Sequence, residues 1–276
     1  MIVIGFYREH YKKAALSLWK HPVLLVPDMV YAFLALGGGI ALLQGLGIFS
    51  LLKEMPAIEE TQRIFSLLYT FIRGNLIKLV VSLLLFFLAL FVTGASFTAT
   101  KLAMIRSMLE KKEPSLKEGF QASRAYFWKI IGIRIVTFLL YSAALLAGLL
   151  IAGVILPLHK PTGILMGIVV TGILSGVLFL SFFFRFPVLY AKNISAAQAL
   201  RESYGFFKAN KRFTIMVAVI LAITAAVIKQ FLSVMGAVLA SPSPFFIAIA
   251  GVVSIWISVF TLVYTFQAFE HVKAKK

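Results

Sequence analysis

Six long apolar runs decide what this chain can become: residues 23–43, 76–100, 130–156, 163–184, 213–239 and 245–269. A helix of about 20 residues, rising about 1.5 Å per residue, covers a hydrocarbon core of roughly 30 Å. Each run meets that length. Composition agrees: 61% of the 276 residues are hydrophobic and 13% are charged, against roughly 45–50% and about 25% in a soluble domain. The sequence therefore predicts an all-α, polytopic integral membrane protein with six transmembrane helices.

The connections between the runs differ in charge. Segment 101–129 carries Lys101, Arg106, Lys111, Lys112, Lys117, Arg124 and Lys129, with Arg134 just beyond. Segment 185–212 carries Arg185, Lys192, Arg201, Lys208, Lys211 and Arg212. With Arg8, Lys12, Lys13 and Lys20 before the first run and Lys273, Lys275 and Lys276 after the last, 21 of the 27 basic residues fall on alternate connections. Lys and Arg accumulate on the cytoplasmic side of membrane proteins. The expected location is the cell membrane, multi-pass, with N- and C-termini cytoplasmic. The net charge of +17 then implies anionic membrane lipids on the cytoplasmic face as partners, and no nucleic acid.

The N-terminal stretch 1–21 reads as an amphipathic helix, with Tyr7, Tyr11, Ala14 or Ala15, and Leu18 at helical spacing and Trp19 at its end. It is too long a polar lead for a signal peptide, so the first run is expected to remain as a span. Connection 44–75 has nearly balanced charge. Within it, 64–72 is apolar but too short to cross, and reads as a separate interfacial helix. Pro157, Lys160 and Pro161 mark one short turn, and the SPSP stretch from Ser241 to Pro244 another.

The two basic segments resemble one another. SLKEGFQASRAYFWK begins at Ser115 and SAAQALRESYGFFKA at Ser195. Ser115 with Glu118, and Ser195 with Gln198, have capping-box spacing. Leu116, Phe120, Ser123 and Phe127 would share a face, as would Ala196, Leu200, Ser203 and Phe207. Taking stretch 1–21 as a third copy divides a single membrane domain, 1–276, into three parallel repeats, 1–100, 101–184 and 185–276. Each would be an interfacial helix on the cytoplasmic side plus two spans. The serine-started helix, the step from Gln198 to Ser203 and the following Phe207-Lys208 resemble prokaryotic six-span families. These are the YciC-like proteins and the membrane domain attached to some glycerophosphodiester phosphodiesterases. The resemblance implies an integral membrane protein. It brings no phosphodiesterase activity, because that activity belongs to a soluble catalytic domain.

Catalytic patterns are missing. The chain has no cysteine, so thiolate chemistry and Cys-held metals are excluded. His10, His21, His159 and His271 form no metalloprotease motif, and each sits at or outside a span end, where an interface or surface histidine is expected. No phosphate loop or nucleophile elbow is present. No catalytic, metal or cofactor-binding residue is assigned. Gly37, Gly38 and Gly39 read as close helix packing or a soft point. Gly163 with Gly167, and Gly172 with Gly176, would let neighbours approach the fourth span from two sides.

Ionisable residues at membrane depth are the remaining lead, since hydrocarbon penalises charge. Asp28, Arg134 and Arg185 lie near the basic ends of their spans, where an ion pair among them or a cavity lining is expected. Lys229 lies toward the other end of the fifth span, within snorkelling reach of the interface. Two functions remain open. One is a non-enzymatic, lipid-facing structural or accessory factor. The other is a small transporter or channel using Asp28, Arg185 and Lys229.

Overall fold

The computed structural model describes residues 2–54, 61–157, 159–238 and 244–274. Its elements are α1 (Ile2–Lys20), a 3-10 turn (Pro22–Leu25), α2 (Val26–Gly45), α3 (Ile48–Glu54), α4 (Thr61–Leu109), α5 (Leu116–Ile155), α6 (Lys160–Ser181), α7 (Arg185–Lys192), α8 (Ala196–Ala209), α9 (Lys211–Val238) and α10 (Pro244–Ala274). The described residues contain no strand. Six helical stretches are long and apolar enough to cross a membrane. The protein is an all-α polytopic membrane protein. Of the SPSP stretch, only Pro244 falls within the described residues, and it opens α10.

The helices are longer than the spans they contain. α4 has 49 residues and α5 has 40, about 73 Å and 60 Å at 1.5 Å per residue. Both project well beyond a hydrocarbon core of roughly 30 Å. The apolar stretch 64–72 is therefore the first part of α4, not a separate interfacial helix. Gly74 interrupts nothing, because one glycine costs a helix only about 1 kcal/mol relative to alanine. Asn75 keeps the helical path and donates from Nδ2 to the Phe71 carbonyl at 3.1 Å.

The chain divides into two compact units, Met1–Leu25 with Ala99–Lys276, and Val26–Thr98. In the smaller unit a Cβ on Gly38 would lie 3.0 Å from Phe86 Cε2, so one of the three clustered glycines does serve close packing. Tyr31 donates to the Leu90 carbonyl at 3.4 Å. Lys78 Nζ donates to the Gly45 carbonyl at 2.9 Å, placing a cation on the exposed carbonyls at the end of α2, where the helix dipole favours it.

In the larger unit the buried residues gather at the basic ends of the helices. They include Leu102 and Ile105 of α4, Ile130 and Ile133 of α5, Phe184 beside α7, and Phe260 and Tyr264 of α10. The opposite halves keep large apolar side chains uncovered, among them Leu150, Val154, Val227 and Phe231. Such a surface belongs in lipid, not water. α5 and α6 pack along glycine. A Cβ on Gly167 would lie 2.9 Å from the Gly148 carbonyl oxygen, and one on Gly163 would lie 2.8 Å from the Leu156 nitrogen. Gly172 and Gly176 face open space, so α6 is approached along one glycine pair and not along both.

The two basic segments share some features and differ in others. Ser195 forms a full capping box: its Oγ accepts from the Gln198 N–H at 3.4 Å, and Gln198 Oε1 accepts from the Ser195 N–H at 3.2 Å. Ser115 occupies the matching position with extended backbone, but its side chain makes no capping hydrogen bond. α8 ends before Asn210, whereas α5 runs into its span unbroken. Ser123 and Ser203 are both buried. The buried face of α5 is Gly119, Ser123, Tyr126 and Ile130; Leu116 and Phe120 are exposed. Gly119 lets this face come close to α4. Its bare backbone sits against α4, where a Cβ would lie 2.6 Å from Met104 Cγ and 3.3 Å from the Thr100 carbonyl.

Candidate functional site at the basic end

Arg106, near the end of α4, organises this region. Its Nε donates to Glu110 Oε1 at 2.8 Å. One terminal nitrogen, Nη1, donates both to the Tyr126 hydroxyl at 3.1 Å and to the Tyr190 carbonyl at 3.0 Å. A guanidinium suits this work because its planar fork presents several donors at fixed angles. Tyr126 of α5 and Tyr190 of α7 stack on each other, and the Tyr190 hydroxyl donates to the Ala99 carbonyl at 2.8 Å. Lys129 Nζ donates to Asn193 Oδ1 at 2.9 Å. Asn193 has φ of 51° and ends α7 in the left-handed conformation, which asparagine tolerates better than most residues. An ion pair between Lys192 and Glu202 joins α7 to α8.

Glu110 is held by Arg106 and also by Lys112 at 3.1 Å. The Arg106 hydrogen bond, followed by that from Lys112, keeps the Glu110 carboxyl below the ordinary carboxylate range.

Beside this cluster α10 crosses α1. Tyr11 meets Phe260 edge to face at 4.9 Å between centroids, and His10 meets His271 in the same way at 4.9 Å. Gln267 Nε2 donates to Ser17 Oγ at 3.4 Å. The buried stripe Tyr7, Ala14 and Leu18 is the face expected of α1, packed against protein along α10. Trp19 is 83% exposed and Trp128 73% exposed, each next to a lysine, as suits residues at headgroup depth.

These elements enclose a cavity of about 470 Å³. Its wall carries the cations Lys13, Arg106 and Lys273, the acids Glu110 and Glu270, and the paired His10 and His271. Gln267 lines it too, 5% exposed, with Oε1 covered and without a hydrogen-bond partner. Among the described residues, no group of three or more His, Cys, Asp and Glu side chains is placed to hold a metal ion.

The four residues singled out by membrane depth do not line this cavity. Asp28 belongs to the smaller unit and stands in the first turn of α2, because 22–25 form a 3-10 turn and the α-helix begins only at Val26. Arg134 and Arg185 are electrostatic neighbours, with Tyr141 beside Arg185. Arg185 donates from Nη1 to the Phe182 carbonyl at 3.2 Å and lies 4.9 Å over the Phe186 ring. Its Nε is covered and has no partner. Lys229 is exposed on α9.

Sequence reasoning missed several participants. Lys101 counts as a loop charge in the sequence but is 5% exposed on α4. His10 and His271, read as interface or surface residues, are half-buried and meet each other, which the sequence did not show. His159 caps α6, accepting from the Thr162 N–H at 3.4 Å. Comparison with known protein families, curated proteins and solved structures finds no match. The chemistry of the site is the guide to its use.

Proposed function

We propose that this chain is a non-enzymatic integral protein of the cell membrane, a lipid-facing structural or accessory factor whose basic, cytoplasmic end engages anionic lipid. Both termini lie in the cytoplasm on this reading. The observation that carries it is the convergence of charge. Lys13, Arg106 and Lys273 come from three separate segments and share one cavity wall, while the far halves of the helices keep uncovered apolar surface. Cations at the cytoplasmic surface attract anionic headgroups by about 1 kcal/mol each. The exposed Trp19 and Trp128 fit anchoring at the same depth. The layout resemblance to YciC-like six-span proteins is compatible with this proposal.

Transport remains the second reading, supported by Arg185, whose covered Nε lacks a partner next to Arg134. Reconstitution separates the two. The accessory reading expects greater thermal stability in vesicles containing phosphatidylglycerol than in pure phosphatidylcholine, with no substrate flux. Equal stability in both vesicles, or a flux abolished by Asp28→Asn, would overturn it.

A further inference from the structure

We propose that the cavity at the basic end binds a phosphate ester that also carries hydroxyl groups, either an anionic phospholipid headgroup or a soluble counterpart. The proposal rests on the lipid-engaging reading above and gives it a site and a ligand class.

The wall divides by chemistry. Lys13 and Lys273 are exposed and, among the described residues, make no ion pair or side-chain hydrogen bond. Their ammonium groups are available to an anion. Arg106 is committed to Glu110, Tyr126 and Tyr190, so it shapes the wall and adds field more than it adds a free donor. Phosphate is matched by such donors because its oxygens accept several charge-assisted hydrogen bonds at once.

A bare inorganic anion does not explain the rest. Glu270 lines the same cavity and, among the described residues, makes no ion pair. A second carboxylate facing a site for anions is unfavourable unless the ligand also brings donors. Gln267 makes the same point: it is almost wholly buried, and its Oε1 is left unsatisfied. An unpaired buried polar atom is destabilising, and a hydroxyl donor from a ligand would satisfy it. Turned end for end, the same amide accepts from Ser17 Oγ and presents its NH2 to the ligand. A volume of about 470 Å³ falls within the range of about 300–1,000 Å³ usual for small-molecule sites.

The test uses the full chain in an uncharged detergent. Binding is read by calorimetry with two probes, ribose 5-phosphate and dihexanoyl-phosphatidylglycerol. Ribose and dihexanoyl-phosphatidylcholine are the matched controls. The expected result is saturable binding of at least one anionic probe, weakened at least tenfold by Lys13→Gln with Lys273→Gln, and also weakened by Gln267→Met. Both lysines are exposed, so the double variant is expected to elute as the unaltered chain does in size exclusion. Binding of the phospholipid alone assigns the site to the membrane, and binding of ribose 5-phosphate assigns it to a soluble ligand. The site is overturned if neither probe saturates, or if the double variant binds like the unaltered chain. Should either happen while the protein still prefers anionic vesicles, the site fails and the accessory reading stands. Cavity binding without any vesicle preference would be the reverse.

Discussion

Tyr126 and Tyr190 lie ring on ring, with centroids 3.9 Å apart and planes 15° from parallel. Residues 64 positions apart thus meet where α5 passes α7, and Arg106 bonds to both. An aromatic pair contributes about 0.5–1.5 kcal/mol beyond its buried area. Tyr190→Ala removes the ring and is expected to cost about 3–5 kcal/mol, the usual loss for a large buried aromatic. Tyr190→Phe keeps the stack and loses only the hydrogen bond to the Ala99 carbonyl, at about 1 kcal/mol. Thermal unfolding in detergent measures both, and a similar loss for the two variants would refute the stacking role.

Glu110 predicts a pH effect. Its folded-state pKa lies below its ordinary value of 4.5. The stability it contributes is therefore complete above that ordinary value and is lost as pH falls through the lower, folded-state value. The group is 42% exposed, so solvent screening keeps the contribution small. The unaltered chain should lose stability on acidification more steeply than Glu110→Gln, which has no carboxyl to titrate. Parallel acid profiles would contradict the assignment.

Glycines on α6 divide by what they touch. Gly167→Leu should force α5 and α6 apart, at about 1–3 kcal/mol for overpacking. Gly172→Leu meets open space and should leave stability unchanged or slightly raised. Melting temperatures of the two variants, purified side by side, check this contrast; equal losses would mean that both glycines pack against protein.

The two serines at helix starts separate in the same manner. Ser195→Ala breaks a formed capping box and is expected to cost about 0.5–2 kcal/mol. Ser115→Ala removes no capping hydrogen bond and should cost less. Denaturant titration of the pair is sufficient, and an equal cost would indicate that both caps form.

Span number was readable in the sequence because length and apolarity alone fix it. Helix ends were harder. The run Arg73, Gly74, Asn75 looks like a break, yet no residue there forbids helix, and α4 continues. Which face of α5 packs against protein was not legible either: it is set by the absence of bulk at Gly119, which allows close approach to α4. The cavity was the least legible feature. His10, Arg106, Tyr190 and His271 are spread over almost the whole chain, and no local spacing marks them as neighbours. Depth in a span drew attention to Asp28 and Lys229. Depth does not reveal that Asp28 stands in the first turn of an α-helix or that Lys229 is exposed.

Sidedness underlies the whole account, and single-cysteine labelling measures it directly in a chain with no cysteine of its own. Lys12→Cys, Lys112→Cys and Arg201→Cys mark three basic segments; Lys53→Cys and Lys160→Cys mark two of the other connections. The account predicts that an impermeant reagent applied outside intact cells labels the second pair alone, and that the first three react only after the membrane is opened. Labelling of Lys53→Cys and Lys112→Cys from the same side would contradict it.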